Sequence, residues 1–197
     1  TLWAIRLSLH IGIKNAGMGE EKRYQRFRQN YGPKHYWWFS YFQVFILQGV
    51  FLLIFASPIH ISYLTTTQQP LLPLYLLGLG LFTFGFFYEA IADIQLYRFK
   101  RTHSSKQFIS TGLWRFSRHP NYFGELVLWF GMAGIAMSKS PTLFSTIALI
   151  GPIFQSYVMT QLSGPKNHEP HMVKEKPGFL EYQQHTPSLI PNFFINN

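Results

Sequence analysis

The stretch that decides the fold is Trp38–Ser57, WFSYFQVFILQGVFLLIFAS, which holds twenty residues without a formal charge. At a rise of about 1.5 Å per residue, a helix of this length measures about 30 Å, the thickness of the hydrocarbon core of a bilayer. The stretch therefore predicts a transmembrane helix.

Three later stretches repeat this signal with at most one charge each: Pro70–Ile91, Tyr122–Met137 and Thr142–Leu162. The short segment Ser138–Pro141 predicts a tight connection, so the last two stretches form a membrane hairpin. The sequence thus predicts an all-α, polytopic membrane helix bundle with four full transmembrane helices.

The first apolar stretch, Leu2–Ile13, is interrupted by Arg6 and His10 and is too short to span a bilayer by itself. We interpret it as the end of a further, truncated helix. Because the chain starts at Thr1 rather than at a methionine, we expect that an N-terminal piece is missing. The whole chain, residues 1–197, is predicted to form a single membrane-embedded domain.

The composition agrees with this interpretation. Hydrophobic residues make up 47% of the chain and charged residues only 13%, against about 25% charged in ordinary soluble domains. A soluble globule is therefore not expected. The chain has no cysteine, which excludes a disulfide scaffold, a cysteine-ligated metal site and a cysteine nucleophile.

The distribution of basic residues predicts the topology, because lysine and arginine accumulate in short cytoplasmic loops. In the four-span arrangement, fifteen of the seventeen basic residues fall on one side, which predicts that segments 92–121 and 163–197 are cytoplasmic. The net charge of +9 is then explained by topology and by contact with anionic lipid, and no nucleic acid is expected. Four aromatic residues stand where interfacial aromatics are expected: Tyr36, Trp37, Trp38 and Trp114.

The connection between the second and third spans ends in a dense polar motif, STGLWRFSRHPNYFGE, at 110–125. Pro120 favours the first turn of a helix and disfavours helical backbone at His119, so a helix is predicted to begin at about Pro120. The N-terminus of such a helix attracts anions, and Arg115 and Arg118 lie just before it. This geometry predicts a site for a phosphate or a carboxylate at the membrane surface.

Glu125 is the strongest single candidate for a functional residue. A carboxylate one turn into a membrane helix is costly and persists only where it lines a cavity or meets a partner. Asn121 lies four residues earlier, hence on the same helical face, with Tyr122 close by. The alternative is a structural ion pair between Glu125 and Arg118 or another cytoplasmic base.

Two more acids, Glu89 and Asp93, repeat the spacing of four near the end of the second span, followed by Arg98 and Lys100. For Asp93, a contact with a ligand and a role as an interfacial acid are equally compatible with the sequence. Glu89 is better explained as an interfacial acid.

The run His168-Glu169-Pro170-His171 resembles a metal-binding motif, but no third histidine follows at a ligand spacing. We expect Pro170 to break the helix that such a motif requires, and we predict no metal. His168 and Glu169 are instead expected to close over the same ligand as the motif at 110–125.

These residues resemble the DUF1295 branch of the steroid 5-alpha-reductase superfamily of membrane proteins. The resemblance rests on TGLWRFSRHPNYFGE at 111–125, the following hairpin and EYQQHTPSLIP at 181–191, and it extends over most of the chain. The wider superfamily includes sterol reductases and isoprenylcysteine carboxyl methyltransferases, which share an Arg-His-Pro-x-Tyr core.

In the reductases of this superfamily, NADPH lies in a cytoplasm-facing cavity between membrane helices. The resemblance implies cofactor contacts at Asn121, Tyr122 and Glu125, and further ones at Asp93 and Lys100. In the methyltransferases, the residues that bind S-adenosylmethionine match His119, Tyr122 and Glu169. The tyrosine that holds the steroid carbonyl has no counterpart, because Ile11 stands in its place, and no catalytic residue is assigned.

We therefore expect a membrane oxidoreductase that uses NADPH to reduce a carbon–carbon double bond in a lipid-soluble, steroid-like or isoprenoid-like enone. The basic residues Arg98, Lys100, Arg115 and Arg118 favour the several phosphate charges of NADPH. The alternatives are an S-adenosylmethionine-dependent methyltransferase of a lipidic substrate and a non-catalytic lipid-binding protein. The expected location is a bacterial inner membrane or the endoplasmic reticulum, with the cofactor site facing the cytoplasm.

The topology predicts the labelling of single cysteines introduced into this cysteine-free chain. In intact cells, a membrane-impermeant thiol reagent should label Gln68→Cys and spare Gln107→Cys, because only the first position faces outward. The reverse pattern would contradict the predicted orientation.

Overall fold

A computed structural model describes residues 1–16, 22–65, 69–162 and 165–194. Within these ranges the chain forms nine α-helices and no strand, which confirms the all-α prediction. The helices are α1 (Leu2–Asn15), α2 (Lys22–Ser40), α3 (Leu47–Phe55), α4 (Ser57–Leu64), α5 (Leu72–Thr102), α6 (Pro120–Lys139), α7 (Ile150–Tyr157), α8 (Pro165–Glu175) and α9 (Phe179–His185).

The contacts divide the chain into two compact units, residues 1–53 and 54–197. The first unit contains α1, α2 and most of α3. The second contains the remaining helices and every residue that the sequence predicts for the functional site.

Two helices are long and apolar enough to cross a membrane among the described residues: Lys34–Phe55, with 22 residues, and Leu72–Thr102, with 31. They coincide with the first and second predicted spans. The stretches predicted as the third and fourth spans are helical, α6 being a single helix of 20 residues, but their membrane crossing stays a prediction.

The stretch Thr142–Leu162 is not one regular helix. It begins as a 3₁₀ helix at Phe144–Leu149, continues as α7 and ends as a π-helix at Val158–Leu162. Pro152 lacks the N–H that would bond the Ala148 carbonyl. The Ser57 hydroxyl compensates, because it donates to the Ala148 carbonyl at 3.3 Å and accepts the Gly151 N–H at 2.8 Å.

Helices extend into two of the segments that connect the predicted spans. The uncharged segment after the first span contains α4 (Ser57–Leu64), which buries Ile61 against Ala133 and Ala136. Residues 66–68, which include the labelling position Gln68, lie outside the described residues. The basic residues Arg98 and Lys100 lie on α5, which continues to Thr102 because no helix breaker follows Ile91.

The two longest contacting helices, α5 and α6, approach each other through glycines. A Cβ atom added to Gly85 would lie 2.5 Å from the Gly124 carbonyl oxygen and 2.5 Å from the Leu128 nitrogen, so the two backbones are in direct contact. Gly78 and Gly131 make a similar approach farther along. Small residues allow close packing of helices where burial of apolar surface gives little driving force, as in a membrane.

This crossing predicts opposite effects for two glycines of α5. Gly85→Ala should lower the free energy of unfolding by about 1–3 kcal/mol, because the new methyl group meets backbone atoms that can move only with their helix. Gly80→Ala, where nothing lies within 4 Å, should be neutral or stabilise by up to about 1 kcal/mol. Thermal unfolding in detergent measures both, and equal effects would contradict the crossing.

Candidate functional site

The site begins at the N-terminus of α6. The helix starts at Pro120, as predicted, and His119 before it has non-helical backbone angles, φ −137° and ψ 61°. The fully buried Ser117 supports this turn, because its hydroxyl accepts the His119 N–H at 3.2 Å and donates to the Leu189 carbonyl at 2.9 Å. The C-terminal segment is thus fixed against the motif that precedes α6.

Backbone hydrogen bonds extend this attachment. The Arg118 N–H donates to the Pro187 carbonyl, and the Asn192 N–H donates to the Phe116 carbonyl, both at 2.9 Å. Residues some seventy positions apart in the sequence therefore form one rigid surface.

Arg118 forms a bidentate ion pair with Glu169 of α8. Its Nε lies 2.8 Å from Glu169 Oε1 and its Nη2 lies 3.0 Å from Glu169 Oε2. Its Nη1 donates to the backbone carbonyls of Gln183 and Thr186. Most of the donors of the guanidinium group are thus used within the protein.

Two further side chains complete the environment of Glu169. Nε2 of His119 lies 3.0 Å from Glu169 Oε1, and Nε2 of Gln183 donates to Glu169 Oε2 at 2.7 Å. A carboxylate only accepts, so His119 carries its proton on Nε2 here. We call Arg118, His119, Glu169 and Gln183 the arginine clamp.

The clamp determines the electrostatics of Glu169, which is only 5% exposed. Burial by itself raises the pKa of this carboxyl group, but the hydrogen bonds from His119, Arg118 and Gln183, with the Arg118 charge, lower its pKa to about 2. Glu169 is therefore an anion at neutral pH.

A second polar group lies between α5, α6 and α7. Nδ2 of Asn121 lies 3.3 Å from Asp93 Oδ1, and Nε2 of Gln155 lies 2.8 Å from Glu125 Oε1. Glu89 lies one turn before Asp93, with its backbone against Gly124. We call Glu89, Asp93, Asn121, Glu125 and Gln155 the polar cluster.

Three members of the polar cluster are buried, while Asn121 and Glu125 are half-buried. Glu89, Asp93 and Gln155 are 2%, 7% and 5% exposed. The amide nitrogens of Asn121 and Gln155 face carboxylates, which only accept, so their carbonyl oxygens point elsewhere. Asn121 Oδ1 and Gln155 Oε1 are buried and find no hydrogen-bond partner among the described residues. Buried polar atoms rarely lack a hydrogen-bond partner, so we expect donors close to these two oxygens.

Tyr122 connects the two groups. Its ring stacks on that of His119, with the centroids 5.2 Å apart, while its neighbours Asn121 and Glu125 on α6 belong to the polar cluster. The orientation of His119, set by Glu169, is therefore transmitted to a ring at the edge of the cluster.

The structure divides most of the predicted site residues between the clamp and the polar cluster. Arg118, His119 and Glu169 lie in the clamp, whereas Asp93, Asn121 and Glu125 lie in the polar cluster. The carboxylate that binds Arg118 is Glu169, so Arg118 is not the base that the alternative interpretation sought for Glu125. Tyr122, half-buried, lies between the two groups, and the other four predicted residues are exposed: Arg98, Lys100, Arg115 and His168.

Sequence reasoning missed two residues of the site. Gln155 stands alone as an amide in the apolar run of α7, and an isolated polar side chain in such a run is a usable signal. Gln183 gives no signal, because an amide in a polar C-terminal segment is ordinary.

Two other expectations are corrected here. Trp114 is not an interfacial aromatic, because it is buried and its Nε1 donates to the Ala92 carbonyl at 3.2 Å. Pro170 does not break its helix, since α8 continues from Pro165 to Glu175. Only the bond to the Lys166 carbonyl is lost, which the remaining turns tolerate.

The clamp predicts a pH-dependent contribution to stability. Glu169→Gln should lower the free energy of unfolding by about 3 kcal/mol at neutral pH, because the folded pKa of about 2 lies well below the ordinary 4.5. The contribution of the paired anion is complete above pH 4.5. It is lost as the pH falls toward about 2, where wild type and variant should converge.

The control is Glu181→Gln, which changes an exposed carboxylate on α9 and should leave stability within about 0.5 kcal/mol of wild type. Denaturant unfolding in detergent at several pH values measures all three proteins. A Glu169→Gln deficit that stays constant from pH 7 to pH 2 would contradict the ionised pair.

Comparisons with known proteins relate the chain to a family and to a curated protein. An uncharacterized protein of Schizosaccharomyces pombe is 33% identical over 182 residues, covering 79% of this chain and 52% of that protein. The chain thus spans about half the length of this relative. No solved structure matches the chain. The model of one family, described as a protein of unknown function (DUF1295), matches residues 1–186, which include the motif at 110–125, the clamp residues and the polar cluster. The chain belongs to the DUF1295 family.

Proposed function

We propose that this chain is a membrane oxidoreductase of the steroid 5-alpha-reductase superfamily, which uses NADPH to reduce a carbon–carbon double bond of a lipid-soluble enone. The observation that carries the proposal is the polar cluster, in which two buried acceptor oxygens have no partner among the described residues. Exposed basic residues stand close to the cluster in the sequence: Arg98, Lys100 and Arg115. Each end of this arrangement suits a different part of the cofactor.

The polar cluster suits the nicotinamide and ribose part. The carboxamide nitrogen and the ribose hydroxyls of NADPH are hydrogen-bond donors. The oxygens of Asn121 and Gln155, with the carboxylates of Asp93 and Glu125, are acceptors. Donors bound there would satisfy buried oxygens whose isolation costs about 1–3 kcal/mol each.

The exposed basic residues suit the phosphates. Arg98 and Lys100 extend from the end of α5, and Arg115 lies in the 3₁₀ helix Gly112–Arg115 before α6. Several cations on one predicted cytoplasmic surface match the several negative charges of NADPH. In this proposal Arg118 holds the clamp together rather than a phosphate, because the clamp already uses most of its hydrogen-bond donors.

Bound NADPH would supply a hydride to one carbon of the double bond, and the other carbon would take a proton. The residues of the chain bind and orient the cofactor. The polar cluster holds the donor-bearing groups of the cofactor, and the clamp fixes His119 and, through it, the ring of Tyr122. No residue is assigned the transfer of the proton.

A second function is favoured by a different observation. The three carboxylates of the polar cluster, Glu89, Asp93 and Glu125, have the sign that suits the sulfonium and ammonium charges of S-adenosylmethionine. A methyltransferase of a lipidic carboxylate or amine is therefore the alternative. Isothermal titration of the purified protein with NADPH and with S-adenosylmethionine separates the two, since binding of only the second would reject the reductase.

Glu125→Gln tests whether the polar cluster holds the cofactor. The variant keeps a side chain of the same shape that can still bond Gln155, so it should fold with an unchanged melting temperature. It should bind NADPH about tenfold more weakly, a loss of about 1.4 kcal/mol, because a charged acceptor is replaced by a neutral one.

Glu181→Gln on α9 is the matched control, with the same chemical change at an exposed position outside both polar groups. Its NADPH affinity should equal that of the wild type. A Glu125→Gln variant that melts lower but binds NADPH normally would make Glu125 structural and remove it from the site.

A further inference from the structure

The first unit of the chain contains a bent helical segment with two arms, residues 22–31 and the long helix Lys34–Phe55, which we call the bracket. Helix α2 is interrupted at Gly32, whose φ of 65° and ψ of 166° turn the chain between residues 22–31 and the long helix Lys34–Phe55. A positive φ is readily adopted only by glycine. The turn folds residues 22–31 back toward the long helix.

Aromatic contacts fix this bracket. The ring of Tyr31 stacks on that of Phe39, with the centroids 4.4 Å apart and the planes 9° from parallel. The Tyr31 hydroxyl donates to Gln43 Oε1 at 3.2 Å. Phe27 continues the aromatic row on the short arm. The arms are thus joined by specific side-chain contacts as well as by the turn.

A groove of about 1060 Å³ lies between the two arms. At the end near the turn, its lining includes Arg28, whose Cζ lies 5.2 Å from the centroid of the Tyr36 ring. Farther along the long helix the lining includes the apolar side chains of Val44 and Phe45 and ends at the amide of Gln48. Tyr36 and Phe45 are nine positions apart, which corresponds to about 13 Å along the helix.

The groove therefore has a cationic end near the turn and an apolar end at Val44 and Phe45, with Gln48 beyond it. Residues 20–34 contain five basic residues and two acidic ones, so the segment keeps a net positive charge that attracts anions to the cationic end. The apolar end follows a helix that is long and apolar enough to cross a membrane. A ligand that matches both ends has an anionic head and a hydrocarbon tail.

We infer that this groove binds one anionic phospholipid, with its phosphate at Arg28 and an acyl chain along Val44 and Phe45. A soluble anion would use the cationic end alone, whereas a neutral lipid would use only the apolar end. The tryptophan Trp37 between the two ends lies where a headgroup meets the acyl chains, the level that its amphipathic ring prefers.

The inference is tested by native mass spectrometry of the full chain purified in detergent with equal amounts of dioleoyl-phosphatidylglycerol and dioleoyl-phosphatidylcholine. One phosphatidylglycerol molecule should be retained in preference to phosphatidylcholine. Arg28→Gln should reduce its retention about tenfold, and Arg28→Lys should retain most of it. Arg26→Gln is the matched control, because Arg26 is also exposed but does not line the groove, and it should change retention less than twofold.

Three results would overturn the inference. Equal losses for Arg26→Gln and Arg28→Gln would mean that lipid responds to the overall charge rather than to the groove. Equal retention of both lipids would remove the anionic head from the assignment. Displacement by glycerol phosphate at the lipid's own concentration would show that the acyl chain contributes nothing. The titration with NADPH is independent of these outcomes, since it probes the second unit.

Discussion

The bidentate pair between Arg118 and Glu169 is the interaction on which the described site depends. Two charges taken out of water are costly unless their geometry is good and their remaining donors and acceptors are satisfied. Here the carboxylate also bonds His119 and Gln183, and the guanidinium group bonds two backbone carbonyls. The pair therefore holds the start of α6, α8 and α9 in one arrangement.

The polar cluster depends on a different constraint, the close approach of α5 and α6. Because Gly85 and Gly124 have no side chains, the two backbones touch, and the polar residues one or two turns away are brought within hydrogen-bond range. The oxygens of Asn121 and, on α7, Gln155 are buried and have no hydrogen-bond partner among the described residues. The glycines thus create the contact between the helices and, through it, the pairing of Asn121 with Asp93.

Three arginines with the same predicted location have different environments. Arg118 is committed to an internal ion pair, Arg28 lies over an aromatic ring in the groove of the first unit, and Arg98 is exposed at the end of α5. A count of charges per loop treats them alike, since it records only the side of the membrane. Their chemistry differs because the partners come from other parts of the chain.

The sequence by itself determined what depends on local pattern: an all-α chain, two apolar helices of spanning length, a helix that begins at Pro120, and the family through its motif. It also marked Asp93, Asn121 and Glu125 as polar residues within apolar surroundings. Only the tertiary structure decided that Arg118 binds Glu169 rather than Glu125, that Gln155 and Gln183 join the site, and that residues 57–64 form a helix. The reason is that spacing along a helix fixes which residues share a face, whereas the partner that a face meets depends on contacts between residues far apart in the sequence.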